Sequence, residues 1–198
     1  MVAEFIHGFD ILFEEFRNAL PWAITSNLQE FLDKLNFGLD EDFIVKDGLA
    51  IHKTAVIENG AVLKPPVVIG RNCFIGAHAY LRGGVYLSDS VRIGPSCEIK
   101  SSLLMSETSV AHFNFIGDSI VGHKVNFEAG SITANHYNER SVKRIFVKYK
   151  DKIIDTSVEK FGALVGDGCR IGANAVLSPG TLLLPGSLVK RLELVEQV

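Results

Sequence analysis

The sequence predicts a parallel β-helix, a prism-shaped solenoid of six-residue repeats over residues 45–190 behind a short helical segment, and two observations predict it. Stepping by six from Val45 meets Ile51, Ile57, Leu63, Ile69, Ile75, Leu81, Leu87, Ile93, Ile99 and Met105, an unbroken series of aliphatic side chains and methionine. Four residues after each of these stand Leu49, Ala55, Ala61, Val67, Cys73, Ala79, Val85, Val91, Cys97, Leu103 and Ser109, most of them small or β-branched. A period of six is too long for strand alternation and does not fit a helix, so each hexad reads as one short strand and one turn. Three hexads close a triangular coil. Its large aliphatic side chains fill the interior, its small ones pack near the corners, and successive coils pair as parallel strands about 4.8 Å apart.

The N-terminal segment has a different period. Phe5, Phe9, Leu12, Phe13, Phe16 and Leu20 recur at helical spacing until Pro21 interrupts them, and a second helix is expected from Leu28 to Leu35 with Leu28, Phe31, Leu32 and Leu35 on one face. Ser26 and Gln29 have the spacing of a capping box. Both helices are expected over the first coil, because a solenoid must cover its apolar end. The boundary is set at 1–38 for this cap and 39–198 for the β-helix.

After Met105 the register slips, with five-residue steps from Ala111 to Ile116 and from Ile116 to Val121 before Phe127 and Thr133 restore the stride. Residues 135–161 leave the repeat, and the run RIFVKYKDKIIDT within them predicts a hairpin projecting from the prism with a cluster of basic residues. The repeat resumes at Val165, Ile171, Leu177, Leu183 and Val189.

Composition narrows the function. With a net charge of -3 and a pI near 6.1, the chain lacks the basic excess of a nucleic-acid binder, so that partner is not expected. No apolar run approaches the ~18 residues of a membrane span and the N-terminus has no basic region followed by an apolar core, so a cytoplasmic location is expected. Cys73, Cys97 and Cys169 fall at small interior positions and form no CxxC pair, so they read as core residues. His78, His112 and His123 lack the spacing of a β-helix zinc enzyme's ligands, and no metal is expected.

Two constellations carry chemistry. Lys64, Arg82 and Lys100 each follow an interior aliphatic at coil spacing, so they stack on one edge of the prism. Such a ladder either receives an anion, for which phosphate is a natural occupant, or is solvated and partly neutralised by Glu98. His112 sits in the irregular coil with Asn114, Asp118 and Asn126 nearby in sequence, a setting suited to a general base.

Residues 97–136, CEIKSSLLMSETSVAHFNFIGDSIVGHKVNFEAGSITANH, resemble the acetyltransferase domain of bifunctional glucosamine-1-phosphate acetyltransferase/UDP-N-acetylglucosamine pyrophosphorylases. The loop KRIFVKYKDKIIDTSVEKFGALVGD is more similar to the archaeal sugar-1-phosphate nucleotidylyltransferase/acetyltransferases, and PWAITSNLQEFL to the segment that enters their β-helix. The resemblance covers nearly the whole chain but not the family's nucleotide-binding domain. It implies a left-handed coil, a homotrimer with acetyl-CoA at its seams, and N-acetylation of an amino-sugar 1-phosphate such as glucosamine 1-phosphate. His112 matches the family's general base, with Glu98 assisting. Arg82 and Lys100 match its phosphate-binding cations, and Asn126 and Asn135 its substrate and cofactor asparagines. The amide near Ala129 matches the oxyanion donor, Ala173 a cofactor contact, and Arg140 and Lys143 its basic loop residues. Two positions depart from the pattern: Phe115 stands where the family has Tyr, and His136 where it has an aromatic residue. The other reading is a non-catalytic sugar-phosphate or sugar-nucleotide binding subunit partnering a separate nucleotidylyltransferase.

Overall fold

The computed structural model describes residues 1–35 and 40–196, and the expected boundary at 38/39 lies outside them, as does the side chain of Leu35. The chain winds into a triangular β-helix. One face carries seven parallel strands in the order Val56–Ile57, Phe74–Ile75, Arg92–Ile93, Ser109–Val110, Asn126–Phe127, Arg170–Ile171 and Leu188–Val189. The two other faces join into one sheet, because the strands Tyr80–Leu87 and Glu98–Leu104 run on around the corner between them. Interior positions are filled as the six-residue pattern predicts, by Ile69, Ile75, Leu81, Leu87, Ile93 and Ile99 with Cys73, Ala79, Val85, Val91 and Cys97 beside them. The three cysteines are buried, and burial pushes the Cys73 thiol up to about 11.

The stride is 18 residues in the first coils and 17 around His112. The interior side chains of the shortened coils are Leu104 and Val110, not Met105 and Ala111: Leu104 pairs with Leu87 and Val121, and Val110 with Ile93 and Phe127. The short steps therefore run from Ile99 to Leu104 and from Ile116 to Val121. Met105 is buried outside the prism, against the helices. Where a corner loses a residue, polar side chains take the small interior places. Ser102 Oγ donates to Lys100 O at 2.7 Å and accepts Ser119 N–H at 3.0 Å, while Ser119 Oγ donates to Gly117 O at 2.7 Å and accepts Ala163 N–H at 3.0 Å. These hydroxyls satisfy backbone groups that the tightened corner removes from the ladder.

Val45 is not a coil position. It lies half exposed on the strand Phe43–Lys46, which pairs antiparallel with Leu49–His52, the first strand of the coil. The N-terminal segment also departs from expectation. Gly8, with φ +70°, and Phe13 break the first stripe into the short turns Val2–Glu4, Phe9–Leu12 and Glu14–Phe16. Pro21 starts a helix, Pro21–Ser26, because its fixed φ and missing N–H suit a first turn. Ser26 ends that helix instead of capping the next one, Leu28–Leu35.

These helices do not lie across the end of the prism. Phe5, Ile6, Phe9, Phe13, Trp22, Ile24, Leu28 and Leu32 pack along one flank, against the outward residues Ala50, Val68, Leu103, Ile120 and Leu164 of successive coils. An amphipathic stripe needs an apolar surface, and this flank supplies a longer one than the end does. Gly84 permits the contact, since a Cβ there would stand 3.0 Å from Gln29 N. The hairpin of Phe146–Tyr149 and Lys152–Asp155 forms as predicted but folds onto the same flank instead of projecting. Tyr149 Oη donates to Glu4 Oε1 at 2.5 Å and Lys150 pairs with Glu4 Oε2 at 2.6 Å. Among the described residues no helix is long and apolar enough to cross a membrane.

Candidate functional site

The face opposite this flank's far edge is built from Val62–Leu63, the first part of Tyr80–Leu87 and of Glu98–Leu104, then Phe115–Gly117, Ile132–Thr133, Val176–Leu177 and Leu194–Val195. Strand register stacks Tyr80, Glu98, Phe115 and Ile132 on it in that order. The ladder lies along one edge, with Arg82 paired in register with Lys100 and Lys64 a coil below. Each upper cation already faces a carboxylate. Arg82 binds Glu98 Oε1 through Nε at 2.7 Å and a terminal nitrogen at 2.6 Å, and Lys100 Nζ stands 2.5 Å from Asp118 Oδ2. Lys64 is exposed.

Asp118 also accepts a hydrogen bond from Asn135 Nδ2, so one carboxylate holds Lys100 and Asn135 together. Asp118 and Asn135 are buried and Lys100 nearly so. Phe115 completes the group: a Cβ on Gly117 would meet its ring at 2.6 Å and Asn135 Nδ2 at 3.0 Å, so only glycine leaves room between them. Asp118, near His112 in sequence, serves the opposite edge of the face. The signal was its position one stride after Lys100.

The other edge carries His112, Ala129 and Ala173 on successive coils. Gly130 N–H donates to His112 O at 2.8 Å and Asn174 N–H to Ala129 O at 3.1 Å. The His112 side chain is exposed, and its backbone carbonyl accepts from Asn114 Nδ2 at 3.1 Å. Asn114 itself points inward, bonded to Ser131 Oγ at 2.5 Å. Elsewhere along this corner a carboxylate takes the amide of the coil above: Glu58 accepts Ala77 N–H at 2.7 Å and Glu128 accepts Ala173 N–H at 2.9 Å. The corresponding residue below Ala129 is Ala111, so among the described residues no side chain of the coil below takes the Ala129 amide in this way. Glu128 is also held by Arg191 at 2.8 and 2.9 Å, and those bonds with the Ala173 amide bring its carboxyl down to about 2.

Asn126 lies around the corner on the seven-stranded face, next to Ser109 and Arg170 in register. It lines with His112, Phe74, Arg92 and Pro95 a groove of about 240 Å³, so His112 is reached from that face. Arg140 and Lys143 are not brought to the His112 edge within one chain. The Arg140 guanidinium stacks 3.5 Å over the Tyr137 ring, and Tyr137 Oη donates to Pro179 O at the ladder edge. Lys143 is exposed on the inserted segment. His136 lies beside Asn135, with its Nδ1 3.2 Å from Asn135 Oδ1.

This coil with its stacked corners is a left-handed β-helix of the hexapeptide-transferase class: residues 50–83 match the family described as bacterial transferase hexapeptide (six repeats), and residues 157–183 the hexapeptide repeat of succinyl-transferase. More particularly, the chain matches the acetyltransferase domain of the bifunctional sugar-1-phosphate nucleotidylyltransferase/acetyltransferases. It is 34% identical over 183 residues to the bifunctional sugar-1-phosphate nucleotidylyltransferase/acetyltransferase of Sulfurisphaera tokodaii, covering 86% of this chain and 45% of that one. It is 32% identical to the bifunctional protein GlmU of Methanocaldococcus jannaschii, covering 81% of this chain and 40% of that one. The chain thus spans less than half the length of these curated relatives. Among solved structures it is similar to a perosamine N-acetyltransferase from Caulobacter crescentus determined with CoA and GDP-perosamine, at 19% identity, a TM-score of 0.31, and coverage of 67% of this chain and 51% of that one.

Proposed function

We propose that this chain transfers the acetyl group of acetyl-CoA to the amine of an amino-sugar 1-phosphate, with glucosamine 1-phosphate as the first substrate to test. The match to the acetyltransferase domain of these relatives supports the acyl transfer. The observation that carries the site is the juxtaposition at one corner of an exposed His112 imidazole and Ala129 of the next coil, whose amide faces no carboxylate from the coil below. In this reading His112 takes the proton of the sugar amine as its nitrogen attacks the thioester carbonyl. The Ala129 N–H stabilises the oxyanion that forms, and the imidazolium returns the proton to the departing CoA thiolate. Arg82 and Lys100 receive the sugar phosphate at the other edge, beside Asn135, and Phe115 lies between. Glu98 acts by holding Arg82. Three copies side by side bring the Asn126 face of one prism against the ladder face of the next, which closes the site and gives Arg140 and Lys143 a cofactor within reach.

The test is CoA release from acetyl-CoA with a panel of amino-sugar 1-phosphates, measured alongside mass by light scattering. Turnover is expected on at least one sugar from a species near three times 21.7 kDa, with His112→Ala lowering kcat by about 10²–10⁴-fold as loss of a general base does. A wild-type protein that binds these sugars and turns none over is instead a binding subunit.

A further inference from the structure

The cation ladder extends past Arg82 and Lys100, the two residues assigned to the sugar phosphate. Lys64 stands one rung below Arg82, since Leu63 pairs with Leu81 and Lys64 N–H donates to Leu81 O at 2.8 Å. It is the uncompensated member. Arg82 is neutralised by Glu98 of the coil above, and Lys100 by Asp118. In the same register the place of Glu98 one rung lower, from which Lys64 would be neutralised, is held by Tyr80. Among the described residues no carboxylate pairs with Lys64, and its side chain is exposed.

The rungs also set the direction and length of what the ladder holds. His112 leads into Phe115–Gly117, whose Gly117 pairs with Lys100, and Lys100 pairs in turn with Arg82. A sugar running from His112 to Arg82 therefore points down the ladder, with Lys64 next in line. The lower end is open, because Val62–Leu63 pairs with Tyr80–Leu87 above it and among the described residues no strand lies beneath it. A group beyond Lys64 meets the rim of the prism and not another coil.

We propose that Lys64 is a second phosphoryl subsite, so that the ladder takes an amino sugar as its 1-diphosphate ester, the form in which a sugar is linked to a nucleoside, as well as its 1-phosphate. A monophosphate gathers its charge on one phosphorus, whereas a diphosphate diester divides it between two neighbours. Arg82 and Lys100, each already holding a carboxylate, serve the phosphoryl group next to the sugar, and Lys64 serves the one beyond it. Successive rungs are about 4.8 Å apart, and the flexible stem of a lysine lets its ammonium close the difference to an adjacent phosphoryl group. The nucleoside then lies past the open rim. This subsite rests on the acyl-transfer reading for the seat of the first phosphoryl group, and it lets the chain act after a nucleotidylyl transfer as well as before one.

Calorimetry without acetyl-CoA measures the binding of glucosamine 1-phosphate and of uridine diphosphate glucosamine to the whole chain, and CoA release measures turnover of each. Wild type is expected to bind both. Lys64→Gln, an exposed substitution, should shift the ratio of the two dissociation constants about tenfold against the diphosphate, and Lys64→Arg should restore it. Added salt should shrink the difference between wild type and Lys64→Gln. A diphosphate that does not bind, or a ratio that is the same in wild type and Lys64→Gln, overturns the subsite. Binding of both ligands with the Lys64 dependence, but without CoA release from either, upholds the subsite and sinks the acyl-transfer reading instead.

Discussion

Thr133 occupies the interior place that Ile116 and Leu177 hold in the adjoining coils, and its hydroxyl is buried without a partner. A buried unpaired hydroxyl costs free energy that an isosteric apolar group does not. Thr133→Val should therefore raise the unfolding free energy by about 1 kcal/mol, read from the urea midpoint at unchanged slope; a lower midpoint would mean that the hydroxyl is bonded. At this scale the sequence was a good guide where the 18-residue stride held, and it failed at Val45, Met105 and Ala111. Lys100 above Arg82 followed from a covalent count over regular coils. The partners were less legible, because a count gives stacking and not side-chain direction. Asp118 falls one nominal stride after Lys100, but the coil there is one residue shorter, so Gly117 takes the paired place and Asp118 the left-handed corner with φ +47°.

At the scale of elements, the shortened coils depend on close backbone approach beneath His112. A Cβ on Gly94 would lie 1.5 Å from Ala111 O on the next rung, a clash no side-chain rotation relieves. Gly94→Ala is expected to destabilise the protein by about 2 kcal/mol or more and to lower acetyl transfer, since the displaced rung carries His112. Unchanged melting and turnover in this variant would show that the corner yields more easily than its geometry implies. The hairpin and the second helix were readable from local pattern, and what they pack on was not. An apolar stripe states that a face is buried and leaves the covering surface open. The slip of one residue at Leu104 was missed for a related reason: Leu103, Leu104 and Met105 are all apolar, and only pairing in three dimensions decides which faces inward.

At the scale of the molecule, the chain starts beside a late coil, runs down the flank to the first, and winds back. Asp167 N–H donates to Phe5 O at 3.0 Å and His7 N–H to Asp167 Oδ2 at 2.8 Å, across 160 residues of sequence. A free-standing solenoid has contacts only between neighbouring coils and unravels from its ends. Removing residues 1–20 should restore that behaviour, with amide exchange accelerating in residues 163–195 well before residues 67–99; uniform protection along the truncated prism would refute it. The flank segment is thus a strap. His7 is made 160 residues before Asp167 and waits for it through the synthesis of the coils between, and when Asp167 arrives the distant parts of the winding become one cooperative unit.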